Sequence, residues 1–329
     1  MINNKRIFIS TSSFGEVSKK PLLMLEASGF NISLNPLGRK LGEDEINELA
    51  GEFDGLIAGT EELSLLVENS TTLKIISRVG AGLNSVPLEL CKQKDIKVSC
   101  TPNAVTTSVA ELTIGLILSV IREIPRLDRM LRQGYWERYM GSTIENSVVG
   151  VVGFGKIGAA VVNLIKPFRP LEIMIVDTVD RSNELLPYIE QGLNIKQVSK
   201  DEMLRNSDII TLHAPFIDET KNYIAKEELE LMKPSSILIN AARGGIVNED
   251  DLFTAIKENK IHSAALDVFD QEPYAGSLVK LDNIILTSHV GSYTSSCRAE
   301  MEMQAAEEII RFLIMRAFKI KCLNMSSRV

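Results

Sequence analysis

The strand-like run Val148-Val149-Gly150-Val151-Val152 leads directly into Gly153-Phe154-Gly155-Lys156-Ile157-Gly158, and an apolar-periodic stretch follows. That order reads as strand, tight turn and helix. Gly153 and Gly155 let the backbone turn sharply and approach a pyrophosphate. Gly158 lets the helix pack closely on the strand, which aims the helix N-terminus at the phosphates. The same glycines could serve an ordinary strand-to-helix turn, so context decides. A second strand, Glu172-Ile173-Met174-Ile175-Val176, ends in Asp177, nineteen residues beyond Gly158. That is the distance at which an acid meets the adenosine ribose. A carboxylate there accepts hydrogen bonds from a free 2′-hydroxyl and repels a 2′-phosphate, so the expected cofactor is NAD rather than NADP.

A chain of 329 residues exceeds one compact core, so two domains are expected. Residues 1–104 alternate strands (6–10, 55–58, 74–77) with helical patterns such as 20–28, as in a small parallel α/β unit. A second α/β series follows, with strands expected near 148–152, 172–176, 208–212, 236–240, 263–267 and 284–287. This is the alternation of a doubly wound fold. The stretch 108–124 is apolar almost all round, suits an interdomain or subunit interface, and is expected to end near Pro125. A helix over 296–318 is expected to pack back on the first domain and leave a short polar tail. The expected organisation is therefore two doubly wound parallel-sheet domains. Residues 105–291 form the nucleotide-binding one, and 1–104 with 292–329 the other, flavodoxin-like one.

The net charge of −7 offers no attraction to nucleic acid or an anionic membrane. Cys91, Cys100, Cys297 and Cys322 lack metal-type or redox-type spacing and read as free thiols in a reducing compartment. No signal-peptide core and no bilayer-length apolar run is found, so a cytoplasmic location is expected, with no metal site.

Three strand ends offer chemistry. Asn240-Ala241-Ala242-Arg243 places an arginine past one, Asp267-Val268-Phe269-Asp270-Gln271-Glu272-Pro273 places acids past another, and His289 follows a third. Carboxyl ends of strands are where open α/β sheets put their ligands. Singly, Arg243 and Glu272 would pass for surface charges. Of the other two histidines, His213, in Leu212-His213-Ala214-Pro215, suits a structural or cofactor-edge role, and His262 a helix C-terminal surface position.

These segments, with Ser77-Arg78-Val79-Gly80-Ala81-Gly82-Leu83-Asn84, Ser108 to Thr113 and Ser288 to Thr294, occur in an order that resembles the D-isomer-specific 2-hydroxyacid dehydrogenases, in particular their phosphoglycerate dehydrogenase-like branch. The resemblance covers nearly the whole chain. It implies that Arg243, Glu272 and His289 are the catalytic arginine, glutamate and histidine. It implies that Phe154 to Ile157 meet the pyrophosphate, Asp177 the ribose and Asp267 the nicotinamide carboxamide, with Ala214, Pro215 and Ala241 lining the cofactor. It further implies that the loop Gly80-Ala81-Gly82 receives the substrate carboxylate, that Arg78 faces a second anionic group, and that the protein is a homodimer.

The residue types suit those roles. A planar guanidinium holds a carboxylate and donates to the C2 oxygen. His289 exchanges the hydroxyl proton, and Glu272 fixes its tautomer. Alternatives are an NAD-sensing, corepressor-like binding protein and a dehydrogenase of another small anion. After Gly82 the family commonly has Asp-Asn-Ile-Asp, whereas this chain has Asn84-Ser85-Val86-Pro87.

Overall fold

The computed structural model describes residues 5–326, with side chains to residue 314. The chain divides into two compact units, one formed by the chain up to Val105 together with the chain from Ser292 onward, the other by Thr106–Gly291.

The first unit alternates β1 (Arg6–Ile9), α1 (Lys20–Ala27), β2 (Asn31–Leu34), α2 (Glu43–Ala50), β3 (Gly55–Ala58), α3 (Ser64–Asn69), β4 (Ile75–Arg78), α4 (Leu88–Gln93) and β5 (Lys97–Ser99). The strands form one parallel sheet of order β2-β1-β3-β4-β5, the flavodoxin-like arrangement. Its central strands are short apolar runs, with all four residues of β3 buried, because helices cover both faces.

The second unit opens with α5 (Thr106–Ile121) and α6 (Ile124–Arg132). Then come β6 (Val148–Val152), α7 (Lys156–Ile165), β7 (Glu172–Val176), α8 (Ser182–Glu190), β8 (Ile195–Gln197), α9 (Lys200–Asn206) and β9 (Ile209–Leu212). The unit closes with α10 (Lys226–Leu231), β10 (Ile237–Asn240), α11 (Glu249–Lys257), β11 (Ser263–Leu266) and β12 (Ile284–Leu286). Its parallel sheet has the order β12-β11-β10-β9-β6-β7-β8. Side-chain alternation explains the double winding. Val152, Ile210, Leu212, Leu238, Ala264 and Leu266 enter the core on one face. Val149, Val151, Ile209, Ile237, Ile239 and Ala265 enter the core on the other. The strand order reverses between β6 and β9, which opens a crevice at their carboxyl ends.

Several expectations need correction. The helix expected to reach Pro125 stops at Ile121. Glu123 adopts a left-handed conformation (φ 53°), and Pro125 sits in the first turn of α6, where its missing N–H costs nothing. One face of α5, including Ala110, Leu116, Ile117 and Val120, is buried within its own unit, while Glu111 and Gly115 stay exposed. The last helix, α12 (Ser295–Ser326), packs on α1, β3 and β4 and runs beyond the expected 318, through most of the supposed polar tail. Residues 327–329 and the side chain of Cys322 lie outside the described residues. Cys91, Cys100 and Cys297 are free thiols.

Candidate active site

The glycine turn is built by steric necessity at two of its three glycines. Gly153 has φ 88°, and a Cβ there would lie 2.8 Å from the carbonyl oxygen of His213. A Cβ on Gly158 would sit 2.0 Å from the oxygen of Gly153, so only glycine lets α7 come this close to the turn. At Gly155 a Cβ would meet nothing within 4 Å, and no side chain caps the start of α7. The turn therefore presents open space in front of a helix N-terminus, the setting a pyrophosphate needs.

Asp177, at the end of β7, closes on this turn. Its Oδ2 accepts from Phe154 N at 2.7 Å and Arg181 Nε at 3.1 Å, and its Oδ1 from Val179 N at 3.0 Å. Burial opposes the charge, but these donors hold the carboxyl below its ordinary range, so it is ionised at neutral pH. Phe154 gives its N–H to Asp177, and its ring is buried against Tyr188. Arg181, which sequence reasoning missed, bridges Asp177 and Glu184 (2.8 Å). Its signal was the i,i+4 spacing from Asp177 at the start of a helix.

His213 follows β9 beside the glycine turn. Its Nε2 lies 3.0 Å from Thr211 Oγ1, and its Nδ1 is buried without a partner. Burial lowers its pKa to about 3, so the ring is neutral and unsuited to proton exchange at physiological pH. An orphaned buried nitrogen next to the open turn fits a cofactor edge. Ala214 and Pro215 continue this edge, and Ala241 lies buried just past β10. The donor set thus suits a dinucleotide: open turn, ionised acid at the ribose distance, and apolar flank.

Arg243 is held by an asparagine turn. Asn240, 1 % exposed, accepts from Ala242 N at 3.1 Å and donates to the Arg243 carbonyl at 3.0 Å. Burial pulls the pKa of the guanidinium down, and the charge of Glu272 pulls it back up. Gly244 is a contact point, because a Cβ there would lie 1.8 Å from the oxygen of Phe269. The arginine turn and the glutamate loop therefore touch backbone to backbone.

Glu272 Oε2 is 2.9 Å from His289 Nδ1, and its Oε1 accepts from Phe269 N at 3.1 Å. A carboxylate at Nδ1 selects the tautomer with the proton there, leaving Nε2 as the base. Both side chains are partly exposed, at 44 % for His289 and 38 % for Glu272. His289 has φ 56°, a left-handed conformation that the following residues enforce. Asp267 supplies the constraint. Its Oδ1 accepts from Thr287 Oγ1 (2.6 Å) and Val290 N (2.8 Å), and its Oδ2 from Gly291 N (2.8 Å). Asp267 is 1 % exposed, and these three donors hold its carboxylate against the His289 loop. His262 is displaced from its expected place. Helix α11 ends at Lys257, and His262 precedes β11 with Nε2 3.0 Å from Glu123 Oε1.

In the first unit, Arg78 ends β4 and lies across Gly80 (φ 136°), where a Cβ would fall 1.3 Å from its Nη1. Gly80 N donates to Thr101 Oγ1 at 2.8 Å. The N–H groups of Ala81 and Gly82 find no acceptor among the described residues. A guanidinium and two free amides are thus gathered at one loop.

Residues 114–291 match the model of the D-isomer specific 2-hydroxyacid dehydrogenase, NAD binding domain. A glyoxylate reductase of Thermococcus litoralis is 35 % identical over 257 residues, 75 % of this chain and 76 % of that protein. A D-3-phosphoglycerate dehydrogenase of Methanocaldococcus jannaschii is 35 % identical over 283 residues, 83 % of this chain but 52 % of that protein, so this chain matches about half its length. A solved protein of Thermus thermophilus superposes with a TM-score of 0.83 at 28 % identity, covering 92 % of this chain and 94 % of that one.

Proposed function

The chain belongs to the D-isomer specific 2-hydroxyacid dehydrogenase family of NAD-dependent oxidoreductases, and from that premise we propose that it interconverts a D-2-hydroxy acid and a 2-oxo acid. The observation that carries the reading is the His289–Glu272 pair at 2.9 Å, with Arg243 within reach of the same carboxylate's charge. When bound, NAD exchanges the hydride. The glycine turn 153–158, Asp177, the edge His213-Ala214-Pro215 and Ala241 are the residues that would hold it.

The protein's own residues supply the rest. Arg243 binds the substrate carboxylate and donates to the C2 oxygen. In oxidation, His289 Nε2 takes the C2 hydroxyl proton, and the resulting imidazolium is stabilised by Glu272. In reduction the same proton is returned. Arg78 and the amides of Ala81 and Gly82 lie at one loop, which supports a role for that loop in holding an anionic group of the substrate. The apolar side chains exposed between α6 and β6, Tyr135, Trp136 and Met140, support a homodimer. The free thiols are in keeping with a cytoplasmic location.

The test is NADH consumption against glyoxylate, hydroxypyruvate, pyruvate and phosphohydroxypyruvate, with His289→Asn alongside. Turnover of one member, reduced about 10²- to 10⁴-fold in the variant, is expected. Equal turnover in the variant removes His289 from the reaction, and strict dependence on phosphohydroxypyruvate would assign Arg78 to a second anionic group.

A further inference from the structure

The loop that carries Glu272 is held from a side that the proposed chemistry does not use. The peptide joining Phe269 to Asp270 faces two ways. Its carbonyl oxygen abuts Gly244 in the Arg243 turn, and its N–H donates to Glu249 Oε1 at 2.8 Å. Glu249 is the first residue of α11, whose start is fixed by Asn248 accepting from Asp251 N at 3.0 Å. Phe269 is further pinned by its ring, stacked on Tyr274 with centroids 4.2 Å apart. From this clamped residue the next N–H back along the chain, that of Phe269 itself, reaches Glu272 Oε1, and the other oxygen of Glu272 reaches His289.

We propose that Glu249 is a positioning residue, which fixes the Phe269–Asp270 peptide and thereby the carboxylate of Glu272 against His289. The inference rests on the catalytic reading of that pair. Glu249 sits among other acids. The groups facing it are Asp250 on its own helix, and Asp270, Glu272 and Tyr274 from the loop packed on it. Arg243 lies within range of the charge of Glu272. Burial, reinforced by these acids, raises the pKa of Glu249 against the opposing hydrogen bond from Asp270 N–H.

The test uses the intact protein and hydroxypyruvate reduction with NADH from acid to alkaline pH, in wild type, Glu249→Ala, Glu249→Gln and His289→Asn. Fluorescence titration of NADH binding serves as the control. Glu249→Ala should lower turnover about tenfold or more, since small displacements of a catalytic group are costly, with NADH affinity within about twofold. Glu249→Gln keeps an acceptor for Asp270 N–H and should recover most of the turnover. Wild-type turnover in Glu249→Ala, with His289→Asn inactive, overturns the role of Glu249 and leaves the catalytic reading standing. Full activity of His289→Asn removes both. Should Glu249→Ala fail to fold, Glu249→Asp, which keeps the carboxylate but shortens its reach to Asp270 N–H, takes its place with the same two outcomes.

Discussion

The carboxylate of Asp267 accepts both backbone N–H groups that follow His289, those of Val290 and Gly291, each at 2.8 Å. A left-handed histidine is thereby tied to the end of the neighbouring strand β11. The conformation that aims the imidazole is imposed by a buried charge rather than by the histidine's own preference.

Asp267→Asn should therefore be damaging although it is nearly isosteric. An amide has one acceptor oxygen for the three donors that Asp267 now satisfies and adds an NH₂ with nowhere to bond. With the site 1 % exposed, a stability loss of about 2–4 kcal/mol is expected by denaturant unfolding. Turnover should fall further than stability alone explains. An unfolding midpoint equal to wild type would show that the loop holds itself.

Glu272→Gln should lower turnover roughly ten- to a hundredfold while leaving NADH affinity unchanged, since it removes the charge that stabilises the imidazolium but no cofactor contact. Parallel measurement of turnover and of NADH binding separates the two. A loss confined to binding would place Glu272 outside the proton transfer.

Asp177→Ser should narrow the preference for NADH over NADPH, measured as the ratio of dissociation constants, by removing the repulsion of a 2′-phosphate. The same change frees Arg181, now engaged at 3.1 Å, to meet that phosphate. An unaltered ratio would mean that selectivity resides elsewhere in the adenosine site.

Folding stability should fall on the acid side through His213. Its native pKa is about 3 against an unfolded value of 6.5. Between these values the unfolded chain binds a proton that the native protein does not, so stability rises with pH through this window and is lost as pH falls below about 6.5. A loss on the order of 2 kcal/mol by pH 4–5 is expected, and His213→Gln should flatten that slope in unfolding curves taken across the window. An unchanged acid slope would mean that other groups dominate it.

Much of this was legible in the sequence because the signals were redundant. Six strands of the larger sheet are runs of apolar residues long enough to be seen, and the glycine spacing announced the turn between β6 and α7. What stayed hidden had no local signature. β8, Ile195-Lys196-Gln197, is three residues with one buried side chain, and it exists because β7 offers a free edge. β2 and β5 are similarly short and only partly buried. The inward turn of Asp267 depends on loop residues twenty and more positions away, and the Asp177–Arg181 pair on how α8 begins. Such contacts are set by tertiary packing, which spacing alone does not encode.

The peptide between Phe269 and Asp270 is touched by Gly244 on one side and Glu249 on the other, and Glu272 is anchored by the preceding N–H. Effects of substitutions at residues sharing one such element do not add. The three positions are consequently constrained together. A lineage altering any one of them would be expected to carry compensating changes at the others, so the sequence record of this loop should show drift in concert or none at all.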